Sequence, residues 1–106
     1  MTIVDLTMDD VRDGLVAGDF VIIDVREAHE FAMGRIPGSL SMPLSRFDVE
    51  WLRQFDGQRV VFSCAAGIRS QHALMAAQSA GLSITEHYRG GLKDWIMSGG
   101  PVDAGG

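Results

Sequence analysis

Two short apolar segments constrain the fold of this chain more than any other feature of its sequence. Phe20 to Val25 is apolar throughout except for Asp24, and Arg59 to Ser63 contains the run Val60-Val61-Phe62. Neither segment alternates polar and apolar positions, and both are rich in β-branched residues, which is typical of strands buried on both faces. Because such strands occur in parallel sheets, the sequence predicts a sheet with helices on either side.

Helical segments alternate with these strands. Thr7, with Asp10 three residues later, predicts a capped helix start, and Gly18 predicts its end. An alanine-rich helix is predicted from Ser70 to Ala80, and a last short helix after Gly90-Gly91. This alternation predicts an α/β sandwich whose ligand site lies at the carboxyl ends of the strands.

The remaining segments give weaker signals. In chain order they are one or two helical turns over 28–33, an extended piece over 39–42, a short helix over 50–55 and a strand over 83–88. A length of 106 residues allows one domain. We therefore expect a domain over 1–98 and a flexible tail over 99–106.

Charge and composition narrow the range of partners. The net charge is -5 and the basic residues are scattered, which predicts no nucleic-acid binding. The apolar runs are far shorter than the roughly 20 residues of a membrane span, so we expect no membrane span. The first residues resemble no secretory signal, and a lone cysteine fits a reducing compartment, so a cytoplasmic protein is expected.

The lone cysteine, Cys64, stands between a buried strand and a helix start. The amides and the dipole of the first helical turn favour a negative charge there, so we expect a nucleophilic thiolate. Ala65, Ala66 and Gly67 have almost no side chain, so the backbone can turn several N–H groups toward an anion. Arg69 could orient an anionic donor or tie the loop to a carboxylate such as Asp24, and both roles stay open.

The other polar candidates have simpler interpretations. Asp24 and Arg26 lie at the end of a buried strand, where a polar pair more often braces loops than binds substrate. His29, His72 and His87 have no metal-ligand spacing, so neither a metal nor another cofactor is expected, and each is interpreted as a solvated or packed side chain. A catalytic pair of Cys64 with His29 or His72 stays open as an alternative.

Four motifs, taken in order along the chain, resemble the signature segments of the rhodanese domains. They are Val21-Ile22-Ile23-Asp24-Val25-Arg26-Glu27 with Glu30-Phe31, Gly34-Arg35-Ile36-Pro37-Gly38-Ser39, Cys64-Ala65-Ala66-Gly67-Ile68-Arg69-Ser70, and Gly90-Gly91 followed by Trp95. The resemblance extends from Thr7 to Trp95. Each motif is weak alone, but the ordered set is specific.

The resemblance implies both a fold and a reaction. The fold would be a three-layer α/β/α sandwich on a five-stranded parallel sheet, with the loop from Cys64 to Arg69 as the catalytic cradle. The activity would be that of a sulfurtransferase of the rhodanese type. Cys64 would take sulfur from thiosulfate or a low-molecular-weight persulfide, and the resulting persulfide would pass it to cyanide, a thiol or a partner protein.

The resemblance also assigns the site. Cys64 would be catalytic, and the backbone around it would bind the sulfur-borne charge. The substrate-binding residues would be Ala65, Ala66, Gly67, Ile68 and Arg69, and we expect the loop to be supported by Asp24, Arg26 and Ser70.

The loop departs from the family pattern just after the cysteine. Well-known thiosulfate-using members often carry basic side chains there, whereas this chain has Ala65 and Ala66, which leaves Arg69 as the only cation of the loop. Small uncharged positions would leave space for a bulkier donor, such as a low-molecular-weight persulfide or the persulfide of a partner protein.

Two other functions are weighed against sulfur transfer. The first is a cysteine phosphatase or arsenate reductase, but a phosphatase loop has five residues between cysteine and arginine, whereas four, Ala65 to Ile68, stand here. The second is a non-catalytic docking or regulatory module, which commonly lacks the cysteine. Partners are expected to be small sulfur donors and acceptors, with a sulfur-accepting protein as a further option, and the chain to be a monomer or a weak dimer.

Overall fold

Parallel strands form a single sheet at the centre of the computed structural model, which describes residues 1–105 of the chain. The strands are β1 (Val4–Leu6), β2 (Val21–Asp24), β3 (Leu40–Ser41), β4 (Val60–Ser63) and β5 (Glu86–Tyr88). Within the described residues they form a 5-stranded sheet in the order β1-β5-β4-β2-β3, and every neighbouring pair is parallel. The parallel sheet predicted from the two apolar segments is confirmed.

Helices cover both faces of the sheet. They are α1 (Met8–Ala17), α2 (Ala28–Met33), α3 (Val49–Leu52), α4 (Ile68–Ser79) and α5 (Gly91–Met97), with 3-10 turns at Leu44–Arg46 and Arg53–Phe55. The longest helix in the described part, α4, has 12 residues, and no helix there is long and apolar enough to cross a bilayer.

Successive residues of the central strands divide between two cores. Ile22 and Val61 are register partners and pack with residues of α1 and α5. Ile23 and Phe62, the next register pair, pack with residues of α3 and α4 on the opposite face. Because both faces are buried, each strand is apolar at consecutive positions. The three-layer α/β/α sandwich is thereby confirmed.

Local signals place the first helix correctly. Thr7 Oγ1 accepts a hydrogen bond from the Asp10 amide at 3.2 Å, and Asp10 Oδ2 accepts one from the Thr7 amide at 2.9 Å. This capping box satisfies two amides that would otherwise lack partners at the helix start. Gly18 ends the helix in the left-handed conformation.

One strand was not predicted, and several boundaries differ from the sequence prediction. β1 was not predicted, because it has only three residues at the sheet edge and just Leu6 is buried. The strand expected over 83–88 is confined to Glu86–Tyr88. α4 begins at Ile68 rather than at Ser70, because Gly67 takes a left-handed conformation and turns the chain into the helix two residues earlier.

The last residues, expected to form a flexible tail over 99–106, make hydrogen bonds with the domain up to Gly105. Arg35 and Asp103 exchange two backbone hydrogen bonds of 2.9 and 3.0 Å. The Trp95 indole N–H donates to the Pro101 carbonyl at 2.7 Å, and the Gly105 amide donates to the Ala32 carbonyl at 2.7 Å. Up to Gly105 the segment therefore lies against α2 and α5, while the expectation for Gly106 falls outside the described residues.

Candidate active site

Cys64 lies directly after β4, at the carboxyl edge of the sheet, and is 1% exposed. Its backbone is held by the start of α5. The Leu92 amide donates to the Cys64 carbonyl at 2.9 Å, and the Lys93 amide donates to the Ala65 carbonyl at 3.0 Å. The closing segment of the chain thus fixes the first two residues of the loop.

Gly91 allows this close approach. Its φ is +67°, and a Cβ at this position would lie 2.5 Å from the Cys64 carbonyl oxygen. A second glycine, Gly67, has a φ of +86°, and its Cβ would lie 2.1 Å from the carbonyl oxygen of Arg89. Both positions require glycine for conformation and for space.

The sulfur of Cys64 lies where a helix cap would lie. Gly67, the residue before α4, has no side chain to accept from the first helical turn. Instead Cys64 Sγ accepts from the Ser70 amide at 3.3 Å and from the Gly67 amide at 3.1 Å. Donors and helix dipole both favour a negative charge on the sulfur.

The two amides that reach the sulfur lie within and just after the predicted cradle of 65–69. Ala66 and Ile68 are exposed, with Ile68 at 66%, whereas Ala65 and Arg69 are half-buried. Gly67 and Ser70 are buried beneath them. The exposed side chains of the loop are therefore small or apolar, and Cys64 itself is buried.

Arg69 is bound to Glu30 of α2 rather than to Asp24, the partner that the sequence suggested. Its two terminal nitrogens lie 2.6 and 3.1 Å from the two carboxylate oxygens of Glu30. The hydrogen bond from Arg69, assisted by the Glu27 amide and opposed by desolvation, lowers the pKa of Glu30 to about 2. Both terminal nitrogens of the Arg69 guanidinium are thereby hydrogen-bonded to Glu30.

Asp24 has another partner. It accepts three hydrogen bonds of 2.7 to 3.0 Å from the side chain of Arg26, and both side chains are 5% exposed. Arg26 also donates to the carbonyls of Glu30 at 3.2 Å and Gly34 at 2.6 Å. The pair thus connects the end of β2 to α2, the helix that holds Arg69.

His87 on β5 reaches the site, which the sequence interpretation missed. Its ring is fully buried. Nδ1 lies 2.7 Å from Ser70 Oγ, and Cys64 Sγ is 3.5 Å from the same oxygen. His29 and His72, the two histidines considered for a pair with Cys64, are both exposed. A histidine inside a buried strand was the available signal, since a buried ring needs polar partners.

Asp5 completes this arrangement from the edge strand. Asp5 and His87 are register partners between β1 and β5. His87 Nε2 lies 2.6 Å from Asp5 Oδ1, and Arg89 lies 3.0 Å from Asp5 Oδ2. The hydrogen bond from His87, followed by that from Arg89, lowers the pKa of Asp5.

Metal ligands do not gather at this edge. Over residues 1–105, His, Cys, Asp and Glu side chains form no group of three or more that could hold a metal ion. In the same part of the chain every buried side-chain nitrogen and oxygen has a hydrogen-bond partner.

Fold and site together define an α/β domain that presents a single cysteine in an amide-lined loop, at the carboxyl edge of a parallel sheet. The profile of the rhodanese-like domain family matches residues 7–98. The chain belongs to this family.

Relatives with sulfurtransferase names match most of this chain. The thiosulfate sulfurtransferase/rhodanese-like domain-containing protein 3 of Mus musculus is 33% identical over an alignment of 105 positions, and the match covers 86% of this chain and 67% of that protein. The thiosulfate:glutathione sulfurtransferase of Saccharomyces cerevisiae is 31% identical over an alignment of 93 positions, and the match covers 76% of this chain and 67% of that protein. These names support the sulfurtransferase class at modest identity.

A solved structure shares the fold. A protein of unknown function from Rhodopseudomonas palustris, described as a possible tyrosine phosphatase, superimposes with a TM-score of 0.82 at 33% identity. The match covers 95% of this chain and 85% of that one.

Proposed function

We propose that the protein is a sulfurtransferase that carries sulfane sulfur as a persulfide on Cys64. The observation that carries the proposal is the position of Sγ, which takes two amide hydrogen bonds of 3.1 and 3.3 Å at the start of α4. A thiolate held in this way is a nucleophile, and the same polar end of the helix favours the anionic outer sulfur of a persulfide.

The reaction has two steps. The Cys64 thiolate attacks the outer sulfur of the donor, so that a new S–S bond forms while the donor's bond to that sulfur breaks. The donor leaves with the electron pair of that bond, as sulfite from thiosulfate or as a thiolate from a persulfide. A nucleophilic acceptor then attacks the outer sulfur, and the Cys64 thiolate is regenerated.

The exposed side chains of the loop favour a persulfide donor over thiosulfate. Thiosulfate is a dianion that an unpaired cation would attract, but the charge of Arg69 is paired with that of Glu30. Ala65 and Ala66 add no charge and little bulk. Glutathione persulfide, or the persulfide of a partner protein, therefore fits this loop better. The acceptors are cyanide, a thiol or a partner protein.

Phosphatase activity has less support. Arginine commonly binds a phosphate group through two parallel hydrogen bonds. Arg69 is the only cation of the loop, and both of its terminal nitrogens bind Glu30. The description of the Rhodopseudomonas palustris neighbour nevertheless makes this activity worth measuring beside sulfur transfer.

Steady-state kinetics test the proposal. Thiocyanate formation from cyanide is followed with thiosulfate and with glutathione persulfide as donors, and p-nitrophenyl phosphate hydrolysis is followed in parallel. We expect turnover with both donors, a higher kcat/KM for glutathione persulfide, and no turnover by Cys64→Ser. If the wild type forms no thiocyanate from either donor, or hydrolyses the phosphate ester instead, the proposal fails and a docking module or a phosphatase takes its place.

A further inference from the structure

A chain of buried hydrogen-bonding groups leads from the Cys64 thiol to the surface of the domain. From Cys64 Sγ it runs 3.5 Å to Ser70 Oγ, 2.7 Å on to His87 Nδ1, and from His87 Nε2 2.6 Å to Asp5 Oδ1. Cys64, Ser70 and His87 are buried, whereas the Asp5 side chain is 42% exposed. The chain joins β4, α4, β5 and β1, so the fold assembles it from four elements.

We propose that His87 is a positioning residue that accepts the proton of the Cys64 thiol through the hydroxyl of Ser70, with Asp5 as the counter-ion of the resulting imidazolium. The inference rests on the proposed function, because it supplies the thiolate on which sulfur transfer depends.

The direction of each hydrogen bond follows from Asp5. Its pKa is lowered, mainly by the hydrogen bond from His87, so the carboxylate is ionised at neutral pH and can only accept. Nε2 of His87 therefore carries a proton and donates it. In the neutral ring Nδ1 is then an acceptor, so the Ser70 hydroxyl donates to it, and the Ser70 oxygen is free to accept from the Cys64 thiol.

The proton step balances along this path. The thiol proton passes from Sγ to Ser70 Oγ while the hydroxyl proton passes from Oγ to His87 Nδ1. Ser70 is left a neutral hydroxyl that donates to the new thiolate, and His87 becomes an imidazolium that donates from both nitrogens. The same three heavy-atom distances allow hydrogen bonds before and after the proton transfer, so the side chains need little movement.

Neighbouring charges act on the ion pair in both directions. Arg89 lies 3.0 Å from the second oxygen of Asp5 and holds that carboxylate in place. Its own positive charge opposes a charge on the ring, so the Asp5 carboxylate is the group that stabilises an imidazolium. On the thiol side, Arg69 is the cation of the loop. The hydrogen bond with Glu30 is the main cause that raises the pKa of Arg69, and the negative charge of Cys64 adds to it. Asp94 of α5 is engaged by the Tyr88 hydroxyl, and Glu86 by Arg59.

The chain of hydrogen bonds reaches solvent at Asp5. Together with Arg89, Asp5 lines an open pocket of about 430 Å³ on the β1 side of the sheet. The carboxylate end of the hydrogen-bond chain is therefore open to solvent, whereas Cys64, Ser70 and His87 are buried.

A purely structural role for His87 is the alternative, since Ser70 and Asp5 would satisfy a buried neutral ring. The two roles differ in one measurable property. If His87 is only structural, its replacement leaves the pH midpoint of Cys64 thiolate formation unchanged. If His87 accepts the proton, its replacement raises that midpoint.

The test is the ultraviolet thiolate absorbance of Cys64 as a function of pH, with no sulfur donor present. His87→Asn keeps an acceptor near the position of Nδ1 but cannot take a proton. We expect its thiolate midpoint to lie about 1 pH unit above that of the wild type, the low end of the effect of a nearby opposite charge. Ser70→Ala, which breaks the path but keeps His87, is expected to move the midpoint in the same direction.

A surface variant removes the concern about folding. Asp5→Asn withdraws the counter-ion from an exposed position and is expected to raise the midpoint, whereas Asp13→Asn, the same change at an exposed site on α1, is expected to leave it unchanged. Nitrogen NMR of the His87 ring gives a second readout. In the wild type the ring should stay doubly protonated at pH values where the thiolate has formed, and in Cys64→Ser it should lose its second proton at lower pH.

Equal midpoints for the wild type, His87→Asn and Asp5→Asn would overturn the proposal, as would a singly protonated ring beside the thiolate. Because no donor takes part, these results are independent of sulfur transfer. A protein that forms the coupled thiolate but transfers no sulfur would keep this inference and refute the proposed function.

Discussion

Glu30 on α2 and Arg69 on α4 form a two-point ion pair, with oxygen to nitrogen distances of 2.6 and 3.1 Å. The pair continues a series of contacts in which Arg26 binds the backbone of α2 and Asp24 binds Arg26. The cation of the loop is therefore tied to α2 within the protein.

This ion pair makes stability depend on pH in acid. The hydrogen bond from Arg69 lowers the pKa of Glu30 to about 2, from an ordinary value of 4.5. The stabilisation is therefore complete above about pH 4.5 and is lost as the pH falls toward 2. Glu30→Gln should lower the free energy of unfolding at pH 7 by on the order of 1 kcal/mol, since the pair is partly solvated.

Thermal unfolding measured at a series of pH values checks this. The difference in Tm between the wild type and Glu30→Gln should shrink as the pH falls from 4.5 toward 2. Glu50→Gln, which removes the exposed partner of Arg53, is the matched control and should follow the wild type. A constant difference across that range would show that the carboxylate charge is not what stabilises the contact.

A basic side chain on the loop should raise the use of thiosulfate. Ala66 is exposed, so Ala66→Arg can place a guanidinium near the donor without disturbing the core. We expect kcat/KM for thiosulfate to rise about tenfold at low salt, equivalent to about 1.4 kcal/mol, and the gain to shrink as salt is added. Kinetics with both donors check this.

Ala66→Gln provides the uncharged control of similar length. It should leave thiosulfate use near that of the wild type. An equal gain for glutamine and arginine would mean that size rather than charge limits thiosulfate.

A methyl group at Gly91 should displace the backbone of the loop at Cys64. Gly91→Ala places a Cβ 2.5 Å from the Cys64 carbonyl oxygen and forces an L residue into a positive φ. The positive φ alone costs about 1–2 kcal/mol, and displacement of Cys64 adds to it. We expect a lower Tm and a loss of sulfur transfer beyond what the stability change explains.

Gly57→Ala separates these two effects. Gly57 has a φ of +82° but no atom within 4 Å of its Cβ position. It should lose stability from the conformation alone and keep its activity once folded. If both variants lose activity equally, the contact between Gly91 and Cys64 is not what positions the sulfur.

The sequence predicts most of the fold because its strongest signals are local. The buried strands in 20–25 and 59–63 and the capped start of α1 at Thr7 depend on neighbouring residues, and each appears where expected. β1 escapes prediction because its pairing with β5 joins residues 82 positions apart and leaves no local pattern.

In the site, too, features that depend on local sequence are predicted, and contacts between distant residues are not. The position of Cys64 between strand and helix follows from local patterns and from the family motifs. The partner of Arg69 does not, because Asp24 and Glu30 are equally available in sequence and only the folded chain shows that Arg26 occupies Asp24. The contact of His87 with Ser70 also depends on how β5 and α4 pack.

The most direct test of the account is intact mass spectrometry of the reduced protein after brief exposure to glutathione persulfide or to thiosulfate, with Cys64→Ser treated in parallel. The account predicts that the wild type gains the mass of one sulfur atom, that cyanide removes it, and that Cys64→Ser gains none. A wild type that gains no sulfur from either donor, or a Cys64→Ser variant that gains as much, would contradict it.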